Sequence, residues 1–349
     1  MSKLTYLAAR VRGMHFDKMK QRIAQVQARS GRSKARIFLD MAWCGLRYQA
    51  GYIDYAIFGM ENLSARQRAT LLTRGKNNEY VAALNKRADW HFFDSKKDFL
   101  KLFSAEAGRE FLDLAAADEA AFAAFAGRHP VFFAKDDTGL CGSGILRVET
   151  GADTDLAALR AELIAGNRTT LEQPIVQHPA LSALYPGAIN TVRMMTLRGD
   201  DGTPHIVFAC LRVGRGGSYV DNFNAGGMTA RVDLDTGRLR APALNKAGDE
   251  LSAHPDTGVA FEGFEIPFYD DCRALVLAAA RKVEGIQYVG WDVAVTPDGP
   301  VLVEGNHFPG HDVTQLAAQT PEREGLLPVF DRIVPYRSLS ARRKANAAQ

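Results

Sequence analysis

Cysteine is scarce in this chain, with four residues in a sequence of 349. Cys44, Cys141, Cys210 and Cys272 lie far apart, form no Cys-x-x-Cys pair and have no histidine at a zinc-site spacing. Zinc binding by these residues is therefore not indicated. Reduced thiols in a cytoplasm are the simplest interpretation, so we expect a cytoplasmic protein.

Long apolar runs are also missing. The first ten residues, MSKLTYLAAR, have no apolar core. No later stretch reaches the roughly eighteen uncharged residues that a membrane span needs. We therefore expect neither export nor membrane insertion.

The chain has no large excess of either charge sign. Forty-three basic residues against forty acidic ones leave a net charge of +3, which is too balanced to indicate nucleic-acid or membrane binding from composition. The basic excess is local, in Arg342–Lys344 and in scattered arginines near the start. Such ends are usually solvated tails, and we expect no nucleic-acid partner.

Common nucleotide-binding and nucleophile motifs are absent: the sequence has no P-loop, dinucleotide fingerprint or serine elbow. Lys135 instead ends the apolar run Val131–Lys135 and precedes a Gly-rich loop. The glycines of this loop are Gly139, Gly142 and Gly144. Glycines let backbone amides approach phosphate, and a lysine neutralises its charge, so this is either a phosphate-binding lid or a Gly-rich hairpin end. Asp136 and Asp137 add negative charge that a phosphate-binding loop usually lacks.

Two apolar runs near the end of the chain flank a Pro- and Gly-containing turn and predict an antiparallel hairpin. The runs are Tyr288–Val295 and Val301–Asn306. Side chains alternate along a strand, so we expect Glu304 to share a face with Leu302 and Asn306, and the side chain of Asp292 to converge on them. Either these acids simply face water, or their hard oxygens hold Mg²⁺, which points to ATP chemistry.

Helical periodicity dominates the N-terminal part of the chain. Residues 14–84 show apolar positions at three- and four-residue steps, and Asp98–Phe125 is predicted to be a second helical stretch. Beyond Pro174 strand and turn signals alternate, with a helix predicted over residues 268–284. Elements in this order indicate an α+β fold rather than a parallel βαβ repeat.

Six short motifs follow one another along the second half of the chain. They are Gln177–Leu181, Ile189–Arg193, Val220–Asn222 with Gly226-Gly227, His254–Gly258, Gly290–Ala294 and Glu304–Asn306. With the lysine before a Gly-rich loop and an extended Glu-containing linker, they resemble the ATP-grasp superfamily and, more narrowly, its sugar-transfer-associated branch. The resemblance implies an ATP-grasp fold, in which two α+β lobes clasp ATP, preceded by an all-helical segment. The implied segments are a helical N-terminal segment at 1–95, a small lobe at 96–170, a large lobe at 171–335 and a basic tail at 336–349.

The same resemblance implies a nucleotide site. Lys135 would bind the α- or β-phosphate of ATP, and Lys96 would be the second nucleotide lysine, with Lys97 as its rival. The other implied nucleotide-binding residues are Gly142 and Gly144 in the loop, and Glu172, Gln173 and Ile175 in the linker that receives adenine.

It also implies a metal and phosphoryl-transfer site. Asp292, Glu304 and Asn306 match the Mg²⁺ ligands of the superfamily. Arg193 and Arg212, each on a predicted strand, would act in catalysis by facing the γ-phosphate and the developing acyl-phosphate. Guanidinium suits that task because it is permanently charged and bidentate.

For three features of the sequence, two interpretations remain open. The loop Asp221–Gly227 either binds an acceptor or forms a structural turn. His178 and His254 each precede proline, so each is either an acid–base group or a partner in a structural hydrogen bond.

The function implied by resemblance is an ATP-dependent carboxylate–amine ligase that works through an acyl-phosphate, in sugar or surface-polysaccharide modification. Its partners would be carboxylate and amine substrates, either small molecules or linked to a sugar. The alternatives are a phosphotransferase on the same scaffold and a non-catalytic nucleotide-binding protein. The products separate the first two, because a ligase releases orthophosphate with ADP and a kinase leaves a stable phospho-product.

Overall fold

The computed structural model describes residues 16–139, 144–223 and 226–347. Its helices are α1 (Phe16–Ser30), α2 (Lys34–Tyr48), α3 (Tyr52–Ile57), α4 (Ala65–Ala69), α5 (Arg74–Leu84), α6 (His91–Asp94), α7 (Lys96–Leu102), α8 (Ser104–Ala107), α9 (Glu119–Arg128), α10 (Leu156–Ala165), α11 (Pro179–Leu184), α12 (Tyr269–Ala279), α13 (Leu327–Ile333) and α14 (Leu339–Ala347). Its strands are β1 (Phe111–Asp113), β2 (Val131–Lys135), β3 (Leu146–Glu149), β4 (Thr170–Glu172), β5 (Val192–Arg198), β6 (Pro204–Val213), β7 (Met228–Val232), β8 (Leu239–Asn245), β9 (Glu250–Leu251), β10 (Tyr288–Thr296) and β11 (Gly299–Asn306).

The chain divides into two compact units. The first contains the chain as far as Tyr80 together with Gly310–Arg332, and the second contains Val81–Pro309 and the chain from Ile333 onward. The predicted helical N-terminal segment and the α+β class are both confirmed. The division into four segments stays a prediction.

Regular apolar spacing builds the core of the first unit. On α2 the buried residues Ile37, Met41, Cys44 and Tyr48 recur at three- and four-residue steps, so they line one side of the helix. They pack in one apolar cluster with Tyr55, which is fully buried. Tertiary packing of this kind, rather than helix propensity, provides most of the stability of such short helices.

The smaller sheet belongs to the second unit. Its strands lie in the order β1-β4-β2-β3, and every neighbouring pair is antiparallel. Phe132 of β2 and Leu171 of β4 are buried against Phe122 and Phe125 of α9 and Leu163 of α10. The helices thus cover one face of the sheet, and the alternate residues Lys135 and Glu172 lie on the other face.

The larger sheet lies in the same unit and carries the predicted metal ligands and the two predicted catalytic arginines. Its order is β11-β10-β5-β6-β7-β8-β9, again antiparallel throughout. Trp291, Met194 and Ala209 lie opposite one another on three neighbouring strands and pack in one core with Val276 of α12. The alternate residues of these strands point to the other face.

One predicted helix is wrong. Asp98–Phe125 is interrupted by β1, which pairs with β4. The helical stretch ends at Gly108, whose φ of 56° lies in the left-handed region that favours glycine at a helix end. Among the described residues, no helix is long and apolar enough to cross a membrane.

Candidate active site

A row of charged side chains crosses the larger sheet. Asp292 of β10 lies opposite Arg193 of β5 on one side and opposite Glu304 of β11 on the other. The preceding residue, Trp291, points into the core. Since side chains alternate along a strand, Asp292, Arg193 and Glu304 share the face opposite to that core.

A β-bulge sets the direction of Glu304. The pairing shifts between Asp292 and Val293, so Glu304 lies opposite Asp292 while Leu302 lies opposite Val293. Leu302 is fully buried in the core, and the prediction that it shares a face with Glu304 is therefore wrong. An extra residue in one strand reverses the alternation locally, and here it turns Glu304 toward Asp292.

Two arginines bind the carboxylate of Asp292. Arg193 donates from Nε to Oδ1 at 2.5 Å and from Nη2 to Oδ2 at 3.0 Å, and Arg212 donates from Nη1 to Oδ2 at 2.7 Å. Burial alone would raise the pKa of Asp292, but the two guanidinium groups outweigh burial and hold this pKa below its usual range. Both arginines predicted to act in catalysis thus lie beside a predicted metal ligand.

Asp221 completes this cluster, although the sequence left the role of its loop open. Arg212 donates from Nη2 to Asp221 Oδ1 at 3.0 Å, and the backbone N–H of Thr191 donates to Asp221 Oδ2 at 2.9 Å. Burial raises the pKa of Asp221 above its usual value. The sequence offered only an acidic residue before two glycines, because Thr191 and Arg212, the partners of Asp221, lie elsewhere in the sequence.

Glu304 and Asp292 lie opposite one another on neighbouring strands. Burial among protein atoms and the negative charge of Asp292 raise the pKa of Glu304 to about 7. The side chain of Glu304 still reaches solvent, so the charge of Asp292 is the cause on which we rely. Two neighbouring carboxylates repel each other, and a divalent cation bound between them would relieve that repulsion.

The oxygen donors at this point fit a hard cation. In the part of the chain that the structure describes, no three His, Cys, Asp or Glu side chains form a group suited to a metal. A bound Mg²⁺ would therefore rest on the carboxylates of Asp292 and Glu304 and the amide oxygen of Asn306. That oxygen accepts from the N–H of Phe308 at 2.8 Å and keeps a second lone pair. Water and phosphate oxygens usually complete such a shell.

A second buried cluster lies on the smaller sheet. Lys135 Nζ is 2.8 Å from Glu172 Oε1, and Arg109 Nε is 2.8 Å from Glu172 Oε2. Burial would raise the pKa of Glu172, but Lys135 and Arg109 lower it to about 2. Glu172 was predicted in the adenine linker, and its side chain instead joins the predicted phosphate lysine to Arg109.

Arg109 was not identified from the sequence, yet its side chain connects the two clusters. Besides Glu172, it donates from Nη1 to the carbonyl oxygen of Leu302 at 2.6 Å and from Nη2 to that of Val303 at 3.2 Å. These carbonyls belong to the bulge that turns Glu304. Arg109 therefore ties the strand that carries Glu304 to the residue that holds Lys135.

Neighbouring lysines of α7 have different surroundings. Lys96 Nζ donates to the carbonyl oxygens of Gly139 at 2.6 Å and Asp137 at 3.2 Å. Burial lowers the pKa of Lys96, and nearby Glu304 partly offsets the shift. Lys97 Nζ instead lies 3.4 Å from Asp113 Oδ1. These contacts favour Lys96 as the nucleotide lysine.

The acidic residues after Lys135 bind backbone groups. Asp137 Oδ1 accepts from the N–H of Lys97 at 2.9 Å, and Asp136 Oδ1 accepts from that of Thr138 at 2.9 Å. Gly144 has a φ of 76° and lies against Asp136. Gly142 lies outside the described residues.

The other predicted linker residues are not part of either cluster. Gln173 forms two hydrogen bonds with the backbone of Glu110 and so extends the pairing of β1 and β4. Ile175 is half-buried after the end of β4. Both stay predictions as adenine contacts.

His178 and His254, for which the sequence left an acid–base role and a structural role open, make structural hydrogen bonds. His178 Nδ1 accepts from the N–H of Ala180 at 3.2 Å and caps α11. His254 is buried, with Nε2 2.9 Å from the carbonyl oxygen of Gly214. Neither contact places an imidazole beside Asp292.

Comparison with known proteins decides the family. The sequence profile described as sugar-transfer associated ATP-grasp matches residues 76–333, which is more than half of the chain. The chain belongs to this family. The predicted ATP-grasp fold with its helical N-terminal segment is confirmed as well. No curated protein matches the chain.

Solved ATP-grasp structures resemble the chain distantly. The ADP complex of purK, N5-carboxyaminoimidazole ribonucleotide synthetase, is 10% identical over 67% of this chain, with a TM-score of 0.38, and the match spans only 52% of purK. The D-alanine-D-alanine ligase from Coxiella burnetii is 11% identical over 85% of this chain and 69% of its own, with a TM-score of 0.44. D-alanyl-alanine synthetase A from Vibrio cholerae O1 biovar eltor str. N16961 is 14% identical over 71% and 66%, with a TM-score of 0.41. These values are too low to transfer a substrate to this ATP-grasp protein.

Proposed function

We propose that this ATP-grasp protein is an ATP-dependent carboxylate–amine ligase that works through an acyl-phosphate. The observation that carries the proposal is the position of Asp292 and Glu304 opposite one another on neighbouring strands, with Arg193 and Arg212 bound to the carboxylate of Asp292. Two guanidinium groups beside carboxylates that can hold a cation suit the transfer of an anionic phosphoryl group.

The chain's own residues would bind ATP from both sheets. Lys135 and Lys96 would hold the phosphates, while Gly144 and Gly142 would bring backbone amides to them. Adenine would lie against the linker that contains Glu172, Gln173 and Ile175. Because Glu172 neutralises Lys135 in the structure, we expect phosphate to compete with this carboxylate for the lysine.

Asp292, Glu304 and Asn306 would hold Mg²⁺, which neutralises phosphate charge when it is bound. Arg193 and Arg212 would stabilise the transferring group. A carboxylate oxygen of the substrate attacks the γ-phosphorus, the bond from this phosphorus to the β,γ-bridging oxygen breaks, and ADP leaves. An amine nitrogen then attacks the acyl carbon, orthophosphate leaves, and the amine loses a proton. The products are an amide, ADP and phosphate.

The setting of the reaction rests on the family alone. Its description as sugar-transfer associated supports sugar-linked or small-molecule acids and amines as substrates, in sugar or surface-polysaccharide modification. We propose the cytoplasm as the compartment, where ATP is available.

Trapping with hydroxylamine tests the acyl-phosphate without knowledge of the amine. The protein is incubated with ATP, Mg²⁺, hydroxylamine and pooled carboxylic acids that include uronic acids, and the products are analysed by mass spectrometry. A ligase yields a hydroxamate together with ADP and phosphate. A phosphate ester without a hydroxamate would replace the proposal with a phosphotransferase, and no ADP with any pool would favour a non-catalytic protein.

Matched variants of one hairpin tie the activity to the site. Asp292→Asn and Glu304→Ala should each reduce turnover roughly a hundredfold or more. Asp298→Asn, in the exposed turn of the same hairpin, should leave it unchanged. Turnover that survives in both site variants would contradict the assignment, provided that circular dichroism shows all three variants folded.

A further inference from the structure

Helix α2 of the first unit exposes large apolar side chains to solvent. The exposed fractions are 46% for Phe38, 67% for Leu39, 57% for Trp43 and 60% for Leu46. Single exposed apolar residues are ordinary on protein surfaces, but four large ones on one helix are not. A surface of this kind indicates an interaction.

These side chains form a second apolar face of the helix. At 3.6 residues per turn, Phe38, Leu39, Trp43 and Leu46 fall within a sector of about 140°. The residues of α2 that are buried in the core lie on the opposite side. They are Ile37, Met41, Cys44 and Tyr48. One face thus holds the helix in its unit, and the other is open.

Basic residues border the exposed face on both sides. Lys34 lies next to Phe38 around the helix, and Arg36 and Arg47 lie next to Trp43. All three basic side chains are exposed. The single acidic residue of the helix, Asp40, is bound by Arg68 at 2.7 Å and accepts from Tyr55 at 2.7 Å, so its charge is already compensated.

The charge of the surrounding region has the same sign. Residues 16–80 contain twelve lysines and arginines against five aspartates and glutamates, a net charge of +7, whereas the whole chain carries +3. The basic excess of the chain is therefore concentrated in the helical region, and an anionic surface would attract it.

We propose that the exposed face of α2 docks on an anionic lipid membrane surface. Trp, Leu and Phe enter the boundary between headgroups and acyl chains, and flanking Lys and Arg pair with anionic headgroups. An apolar face bordered by cations on both edges matches that layering. The apolar face would lie in the interface and would not span the bilayer.

Vesicle binding tests the proposal with the full chain. The protein should sediment with vesicles of phosphatidylglycerol and phosphatidylcholine, and sediment less with phosphatidylcholine alone or at high salt. Trp43 is the exposed residue among the three tryptophans, so its fluorescence should shift to the blue on binding. Trp43→Leu should still sediment and should lose most of that shift.

Two sets of substitutions separate the apolar and charged contributions. Leu39→Gln/Trp43→Gln/Leu46→Gln should lower the partition coefficient about tenfold or more, because three apolar side chains that enter the membrane interface are lost. Lys34→Glu/Arg36→Glu/Arg47→Glu should remove the preference for anionic lipid. Ile164→Gln, at an exposed apolar position of α10, is the matched control and should bind as the wild type does.

Three results would overturn the proposal. One is a wild-type chain that does not sediment with anionic vesicles. Another is an apolar triple variant that is folded by circular dichroism and binds as well as the wild type. The third is a chain that dimerises without lipid in sedimentation velocity, loses the dimer in the triple variant and ignores vesicles, since a second copy would then cover this face.

Discussion

Individual residues of the site differ in how far the sequence could reveal them. The strand alternation and the turn residues around Pro297 predicted the hairpin that carries Asp292 and Glu304, but alternation alone would have left Glu304 on the face of Leu302. The bulge at Val303 could not be predicted, because it depends on how β11 pairs with β10. The partners of Asp221 and Glu172 were equally invisible, since ion pairs between distant segments leave no local pattern.

Glu172 makes stability depend on pH in a direction that follows from its partners. Its folded-state pKa of about 2 lies below the ordinary 4.5, because Lys135 and Arg109 outweigh the effect of burial. The folded protein therefore gains stability from this group above pH 4.5 and loses it as the pH falls toward 2. A shift of this size corresponds to about 3 kcal/mol.

We expect Glu172→Gln to lower the free energy of unfolding most above pH 4.5, with the gap to the wild type closing toward pH 2. Urea unfolding at a series of pH values measures the gap. Glu149→Gln, which removes the carboxylate of an exposed pair with Arg147, is the control and should show almost no gap. A gap for Glu172→Gln that stays constant with pH would show that its carboxylate is not held by these cations.

At the scale of elements, those set by a local sequence pattern could be predicted, and those set by pairing with a distant strand could not. The final hairpin was correct because its apolar runs and Pro-Gly turn are local signals. Strand β1 was mistaken for helix because its residues have no strand periodicity of their own. They form a strand because they pair with β4, about 59 residues away in the sequence. Helix α7 shows a finer case, since the resemblance implied Lys96 as the second nucleotide lysine and left Lys97 as its rival.

Adjacent positions of α7 give a sharp test of the nucleotide site. Lys96→Met should weaken binding of the Mg²⁺ complex of a non-hydrolysable ATP analogue about tenfold or more, because a charged hydrogen-bond donor is lost. Lys97→Met should change it little, since Lys97 is paired with Asp113, and Asp113 keeps Lys101 at 3.6 Å. Isothermal titration calorimetry measures both affinities. Equal losses, or a larger loss for Lys97→Met, would contradict the assignment of Lys96.

At the scale of the whole molecule, the sequence predicted the class of fold better than it predicted side-chain contacts between distant segments. The helical N-terminal segment and the α+β class followed from patterns that run over tens of residues, and the ATP-grasp family followed from the resemblance of six short motifs in one order. Arg109 did not, although it bonds to Glu172 on the smaller sheet and to two carbonyls of β11 on the larger one. Its partners lie far away in the sequence, so nothing around Arg109 distinguishes it from a surface arginine.

Arg109→Met should therefore affect both sheets of the second unit. Without this buried cation, Glu172 pairs with Lys135 alone, and the carbonyl oxygens of Leu302 and Val303 lose a hydrogen-bond donor. We therefore expect a loss of about 3 kcal/mol in the free energy of unfolding. Arg109→Lys should recover part of it, because an ammonium can pair with Glu172 without the planar fork that reaches both carbonyls.

Urea unfolding measures these losses, and ATP turnover by the folded variants measures the effect on the site. Arg147→Met is the control, because it breaks an ion pair that is more than half exposed at both ends and should cost under about 1 kcal/mol. Since Arg109 orients the bulge that turns Glu304 and the carboxylate that holds Lys135, turnover should fall in Arg109→Met even where the variant is fully folded. Full turnover in folded Arg109→Met would mean that each sheet positions its own residues without this connection.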